Sequence, residues 1–208
     1  MTNQEKINLT LDFIDSLFPD AKCELFYNRD YELVIAVMLS AQTTDKSVNL
    51  ATKTLFYQYN SLEKLDAVPL EEIEKHIHSI GLYKNKAKNV IGIAQSLLND
   101  YQGILPSDKD ELQKLPGVGN KTAGVIRAEI FEIPDLPVDT HILRISKRLK
   151  LTKDDADAYE TEMALKKKFD KDIWIKIHHQ LIHFGRDICV ARNPHCEKCK
   201  LQAICTKK

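Results

Sequence analysis

Apolar residues recur at the 3.6-residue period of a helix through nearly the whole chain, and that recurrence most constrains what it can fold into. Segments 5–18, 31–41, 46–58, 70–79, 85–99, 120–132, 140–149, 157–169 and 172–188 carry apolar side chains three and four residues apart. Such spacing collects them on one face of a helix and leaves the other face polar. No run between turn signals alternates apolar and polar residues as a half-buried strand does. Pro19, Pro69, Gly81, Gly103, Pro106, Pro116, Pro134 and Pro137 punctuate the segments. Proline lacks the amide a helix interior needs, and glycine costs more backbone entropy to order. The expectation is an all-α chain. Its 208 residues can bury a sizeable core, in one domain or two small ones, and no low-complexity linker divides it.

The formal net charge is zero, but its distribution is uneven. Residues 1–139 carry 14 Lys and Arg against 21 Asp and Glu, whereas residues 140–208 carry 16 against 9. A basic C-terminal third on a neutral whole points to one face that meets polyanions. Lys166-Lys167-Lys168, taken alone, reads as a solvated helix face. The chain has no signal peptide and no long apolar span. The expected setting is therefore a reducing cytoplasm, with no membrane partner and a monomer as the default.

Four of the five cysteines lie in the last 20 residues, as Cys189, Cys196, Cys199 and Cys205, a Cys-x6-Cys-x2-Cys-x5-Cys run. In a reducing compartment, clustered thiolates hold a metal more often than they form disulfides. Four ligands make one site, and on physical grounds both zinc and an iron–sulfur cluster fit four thiolates. Cys23 stands apart and reads as an ordinary partly buried residue.

A second stretch, Leu115-Pro-Gly-Val-Gly-Asn-Lys-Thr-Ala-Gly-Val-Ile126, reads as a tight turn, Pro116-Gly117-Val118-Gly119, opening a helix at about Asn120. The turn's amides and those of the first helical turn are unpaired donors at a positive dipole end, which suits a phosphate. Lys121 falls in that first turn, where the dipole disfavours the ammonium form and so favours a free, nucleophilic amine. By themselves, a Gly-x-Gly is usually only a turn and a lysine after it a surface residue. Asp139 precedes the apolar-periodic Ile142, Leu143, Ile145 and Leu149, and alone it reads as an N-cap.

Together these stretches resemble the endonuclease III family of base-excision DNA glycosylases, within the helix-hairpin-helix superfamily. The resemblance covers nearly the whole chain. It includes Leu33 to Asp45 with Gln42 near its end, Ile80-Gly-Leu-Tyr-Lys-Asn-Lys-Ala87, the hairpin, Val138-Asp-Thr-His141, and the cysteine spacing without a gap. It implies a two-domain helix-hairpin-helix glycosylase architecture: a six-helix domain at 22–133, with the hairpin at about 108–131, and an iron–sulfur domain from 1–21 with 134–208. A DNA cleft would lie between them, and the cysteines would hold a [4Fe–4S] cluster.

The resemblance also assigns residues. Leu82 maps to an apolar wedge, and Gln42 to the residue that fills the gap left by an extruded nucleotide. Gly117, Val118 and Gly119 grip the DNA backbone. Lys121 is the Schiff-base nucleophile and Asp139 the carboxylate that stabilises charge on the sugar. His141 orients Asp139, contacts a phosphate, or merely packs. Asp45 is a candidate for shaping the pocket. Apart from the resemblance, Arg192, Lys198 and Lys200 read as cations that a ligated cysteine loop would hold against phosphates. Gly81-Leu82-Tyr83-Lys84-Asn85-Lys86-Ala87 faintly echoes Gly117-Val118-Gly119-Asn120-Lys121-Thr122-Ala123, as a second turn before a helix.

The implied activity is a bifunctional DNA glycosylase and AP lyase. It would remove oxidised pyrimidines from duplex DNA and break the strand 3′ to the abasic site by β-elimination, in a bacterial-type, nucleoid-associated cytoplasmic setting. Family relatives that remove mispaired adenine lack the lysine. Two other classes stay open on the residues alone: a non-catalytic DNA-binding module, and a zinc-stabilised interaction protein.

Overall fold

The structure, a computed structural model, describes residues 1–207. All regular elements among them are helical: α1 (Asn3–Leu17), α2 (Asp30–Leu39), α3 (Asp45–Gln58), α4 (Leu62–Ala67), α5 (Leu70–Ile77), α6 (Tyr83–Tyr101), α7 (Lys109–Leu112), α8 (Asn120–Phe131), α9 (Thr140–Arg148), α10 (Ala158–Lys166) and α11 (Trp174–Asp187). Short 3-10 turns lie at Lys171–Ile173, Cys196–Lys198 and Gln202–Ile204. Among the described residues no helix is long and apolar enough to cross a membrane.

Each segment expected from periodicity overlaps an observed helix, with ends differing by up to about three residues. α4 and α7 have no counterpart among those segments, because six and four residues are too few for a 3.6-residue period to register. Their starts are still chemically marked. Ser61 Oγ accepts the Lys64 amide at 3.3 Å, and Asp108 Oδ1 accepts those of Asp110 and Glu111 at 2.9 and 3.1 Å.

The chain divides into two compact units, Glu24–Glu132 and Met1–Cys23 with Ile133–Lys208. In Glu24–Glu132, α2 is the central helix: Leu33 to Leu39 are all buried, and α3, α6 and α8 pack around it. A helix apolar on every side belongs in a core. Its buried Glu32 is satisfied by the Arg29 guanidinium and the Asn28 amide, both at 2.7 Å. α6 turns the stripe Val90, Ile93, Ala94 and Leu97 inward and packs against α4 and α5.

In the other unit, α11 packs against α9 and α1, and α10 against α9. Ile14, Ile142, Ile145, Leu181 and Phe184 form the middle of its core, with Phe13 edge-on to Phe184 at 6.1 Å. Gln180 Nε2 ties α11 to α1 by donating to Asp15 Oδ1 at 2.7 Å and the Phe18 carbonyl at 3.0 Å. The expectation of a solvated Lys166-Lys167-Lys168 face fails for its first member. Lys166 is partly buried, pairs with Asp135 and with Glu162 at 2.5 Å, and lies 5.4 Å from the centre of the Trp174 ring. A long lysine stem covers apolar surface while its ammonium serves two buried carboxylates.

Candidate functional site

Within Glu24–Glu132 the turn between α7 and α8 is pinned from below. Leu115 and Val118 are buried, and the Val118 amide donates to the Leu115 carbonyl at 3.0 Å. The two glycines serve different ends. Gly117 has φ +78, and a Cβ there would lie 2.5 Å from Asn89 Nδ2 and 2.9 Å from Met38 Cγ. Conformation and packing both demand glycine. Gly119 has φ −95 and ψ −178, and a Cβ would meet nothing within 4 Å. Nothing inside the protein requires glycine there; what it preserves is an open approach to the backbone from outside.

α8 starts at this glycine with no side-chain cap, whereas Thr44 caps α3 and Asp139 caps α9. The amides of Lys121 and Thr122, in the first turn, have no intrahelical acceptor and point the positive dipole end outward. Lys121 is exposed in that turn.

Four non-glycine residues of this unit lie in the left-handed region: Gln102 and Glu132, the C-caps of α6 and α8, and two loop residues, Gln42 at φ +57 and Leu82 at φ +61. Each such residue costs about 1–2 kcal/mol. Gln42 is exposed in the turn after α2, and Leu82, the N-cap of α6, is 68% exposed. A buried side chain one turn into α6 from Leu82 reaches the loop of Gln42. Lys86 of α6 donates through Nζ to the carbonyls of Leu39 at 2.9 Å and Ala41 at 2.6 Å, and to Thr43 Oγ1 at 3.3 Å. Its own amide donates to the Leu82 carbonyl at 3.1 Å. Asp45 opens α3, half-buried, directly after the Thr44 cap. The echo between the two turns is one of sequence more than backbone, since the left-handed residue is Leu82 in one and Gly117 in the other.

In the other unit Asp139 is the N-cap of α9, as its position before the apolar run indicates: Oδ1 accepts the Ile142 amide at 2.8 Å. The same helix holds the start of the cysteine loop. Arg144 donates to the Cys189 carbonyl at 3.1 and 3.0 Å and to the Gly185 carbonyl at 2.9 Å, and its Nη2 lies 3.2 Å from His141 Nδ1. Arg148 donates to Cys189 Sγ at 3.2 Å and to the carbonyls of Val190 and Ala191 at 2.8 and 3.0 Å. Burial lowers the proton affinity of Arg144, while the charges of Cys189 and Asp139 work to raise it. His141 also packs at Gly185, where a Cβ would come within 2.8 Å of the His141 Cβ.

Cys189, Cys196, Cys199 and Cys205 line one cavity, together with Arg148 and Phe184. All four are half-buried free thiols. Burial pushes the Cys199 thiol up, and the other three cysteines push in the same direction. Among the described residues, no three His, Cys, Asp or Glu side chains converge as closely as a single ion requires. Arg192, Lys198 and Lys200 are exposed along this loop.

The expected residues therefore fall into two sets. Gln42, Leu82, the hairpin and Lys121 belong to Glu24–Glu132; Asp139, His141, Arg192 and the cysteines belong to the other unit. Sequence reasoning passed over Lys86, Arg144 and Arg148. Lys86 was findable, since it shares the helical stripe of Val90, Ile93 and Leu97, where a charge is out of place. Arg144 and Arg148 lie four residues apart on one helix face, but the carbonyls they hold at 185–191 are more than 40 residues away.

Residues 35–171 match the family described as the HhH-GPD superfamily base excision DNA repair protein. The chain is 48% identical to endonuclease III of Bacillus subtilis (strain 168) over 205 residues, spanning 99% of this chain and 94% of that one. Against endonuclease III of Escherichia coli (strain K12) it is 38% identical over 190 residues, or 91% and 90% of the two chains. Its fold superposes with a TM-score of 0.95 on a trapped endonuclease III–DNA covalent intermediate, at 46% identity over 99% of this chain and 97% of that one. A thermostable thymine-DNA glycosylase, 24% identical, shares the fold with a TM-score of 0.84 over 97% of this chain and 96% of that one.

Proposed function

We infer the chemistry from the family to which this chain belongs, the endonuclease III branch of the HhH-GPD superfamily of base excision DNA repair proteins. The protein is a DNA glycosylase and AP lyase of base-excision repair, acting on damaged duplex DNA. The observation that carries the site assignment is the hairpin. It opens α8 at an uncapped glycine with free space above its backbone, and it places Lys121 exposed in the first helical turn.

The substrate class is duplex DNA bearing an oxidised pyrimidine or an abasic site. A stacked base hides its glycosidic bond, so the nucleotide must leave the helix at a cost of about a few kcal/mol in stacking and pairing. Leu82, exposed and left-handed, enters the duplex as a wedge, and Gln42 fills the gap. Their strained backbones already hold them outward, so little ordering cost falls at the moment of binding. The amides of Gly119 and of the α8 start, with the backbone of Gly117 and Val118, hold a phosphate. Arg192 adds a sequence-independent phosphate contact from the cysteine loop, with Lys198 and Lys200 beside it.

The Lys121 amine attacks C1′, and the base departs with the electrons of the glycosidic bond. Asp139 stabilises the positive charge that builds on the sugar. The sugar ring opens to a Schiff base on Lys121. Loss of a C2′ proton then expels the 3′ phosphate by β-elimination. His141, bonded to Arg144, orients the start of α9.

The thiol centre fits a [4Fe–4S] cluster held by Cys189, Cys196, Cys199 and Cys205. Four thiols line one cavity with apolar walls, and the Arg148 guanidinium, donating to Cys189 Sγ, offsets thiolate charge there. The cluster would supply four metal–thiolate bonds that tie the C-terminal loop into the fold.

The test is strand cleavage on a duplex with one oxidised pyrimidine. Native protein releases the base and cuts 3′ to the site, whereas Lys121→Ala leaves the strand intact. Undiminished cutting by Lys121→Ala would remove Lys121 from the mechanism.

A further inference from the structure

We propose that Lys86 is a positioning residue that sets the separation of the two duplex-probing loops, holding Leu82 and Gln42 at the spacing of one extruded nucleotide. The inference rests on the roles given above to Leu82 and Gln42.

Lys86 is 6% exposed and sits on the inward stripe of α6, a position where a leucine or methionine would fold at lower cost. Its ammonium carries three hydrogens, and three oxygens receive them: the carbonyls of Leu39 and Ala41 and the hydroxyl of Thr43. Ala41 and Thr43 are the neighbours of Gln42 on either side. The Leu39 carbonyl belongs to the last turn of α2, whose negative dipole end favours a cation. The Lys86 amide meanwhile closes the first turn of α6 onto the Leu82 carbonyl. The Lys86 side chain therefore ties the start of α6, one turn after Leu82, to the turn that carries Gln42.

All three acceptors are neutral oxygens. A neutral amine has only two hydrogens for them, so the ammonium is the form that fits, although burial lowers its proton affinity. A charge kept in the core without a carboxylate does more than pack. It fixes a turn that no helix or strand ladder supports. Backbone strain of this kind persists only where the surroundings over-determine it.

The test uses the full chain and two duplexes carrying the same oxidised pyrimidine. In one the lesion is paired with a purine; in the other it faces an abasic gap and is already loosely stacked. For Lys86→Met, kcat/KM on the paired duplex is expected to fall at least about thirtyfold, and on the gapped duplex less than about threefold, since misplacing a positioning group costs most where it must act. Lys86→Arg keeps a buried cation and should restore much of the difference. Equal losses on both duplexes, or none, would overturn the proposal.

Should Lys86→Met fail to fold, Thr43→Val removes one acceptor from the half-buried turn. It should shift the same ratio in the same direction, and an unchanged ratio counts against the clamp. Amide hydrogen exchange without DNA reads the clamp independently of catalysis. Loss of the Lys86 ammonium should speed exchange at 40–44 while the rest of Glu24–Glu132 stays protected; unchanged or uniformly raised exchange contradicts it. If native protein excises from neither duplex, the glycosylase reading fails, and the exchange experiment alone decides the clamp.

Discussion

Replacing each hairpin glycine by alanine separates what the fold needs from what the DNA needs. At Gly117, with φ +78, alanine takes on the left-handed penalty of about 1–2 kcal/mol. Its Cβ also sits 2.5 Å from Asn89 Nδ2 and 2.9 Å from Met38 Cγ, inside any tolerated contact. Met38 is a buried residue of the central α2 and cannot swing into solvent. Overpacking of this kind adds about 1–3 kcal/mol. The summed loss of about 2–5 kcal/mol lowers the melting temperature by about 4–20 °C in a chain of this size. Gly119→Ala meets no atom within 4 Å and keeps an ordinary φ. Its melting temperature should stay within about 2 °C of native, as for surface changes that touch nothing. The assays are thermal melting followed by circular dichroism, and anisotropy of a labelled duplex with a stable abasic-site analogue. Gly119→Ala should bind that duplex at least about tenfold more weakly, because its methyl occupies the approach to the phosphate-binding amides. Native-like affinity for Gly119→Ala, or equal destabilisation by both changes, would refute the division of labour.

Asp139→Asn should keep both DNA binding and stability, because asparagine caps a helix as well as aspartate. Its base release should nonetheless fall at least about a hundredfold once the stabilising charge is gone. Asp139→Ala should lose the same activity and about 1 kcal/mol of stability besides. Lys166→Met removes the ammonium shared by the buried carboxylates of Asp135 and Glu162 and should cost about 1.5–3 kcal/mol in urea denaturation. Burial opposes the Lys166 charge, but its bonds to Asp135 and Glu162 outweigh it and hold its pKa above the usual 10.5. Its contribution is therefore fully present below pH 10.5 and lost as pH rises through the folded value, so the Lys166→Met deficit should shrink only at strongly alkaline pH. Protein purified without air should be brown, with iron and acid-labile sulfide in equal amounts. Cys199→Ser should lower both, and tightly bound zinc without iron would contradict the cluster.

What was legible in the sequence was what the chain encodes locally. The helix pattern, the hairpin with Gly117 at its left-handed position, and Asp139 as the cap of α9 all rest on residues within a few positions of one another. What escaped depends on partners far away in the chain. The segment at 31–41 reads as helix to its end, yet α2 stops at Leu39 and Gln42 turns left-handed. The grip on that turn comes from Lys86, more than 40 residues downstream. The lysine run at 166–168 looks like solvated surface because nothing nearby announces Asp135, 31 residues upstream. Arg144 and Arg148 look like surface basic residues on α9, and only the fold brings the Cys189–Ala191 carbonyls to them. The motif residues were visible in the sequence; of the side chains that hold their loops in place, only Lys86 left a trace there, as a charge on the apolar stripe of α6.

The central claim is that Lys121 forms the covalent bond to the sugar. Reducing the reacting complex with borohydride and digesting the trapped protein locates that bond by the mass added to one peptide. The added mass should fall on the peptide containing Lys121, and Lys121→Ala should yield no adduct. Mass on any other lysine, or trapping undiminished in Lys121→Ala, would contradict the account.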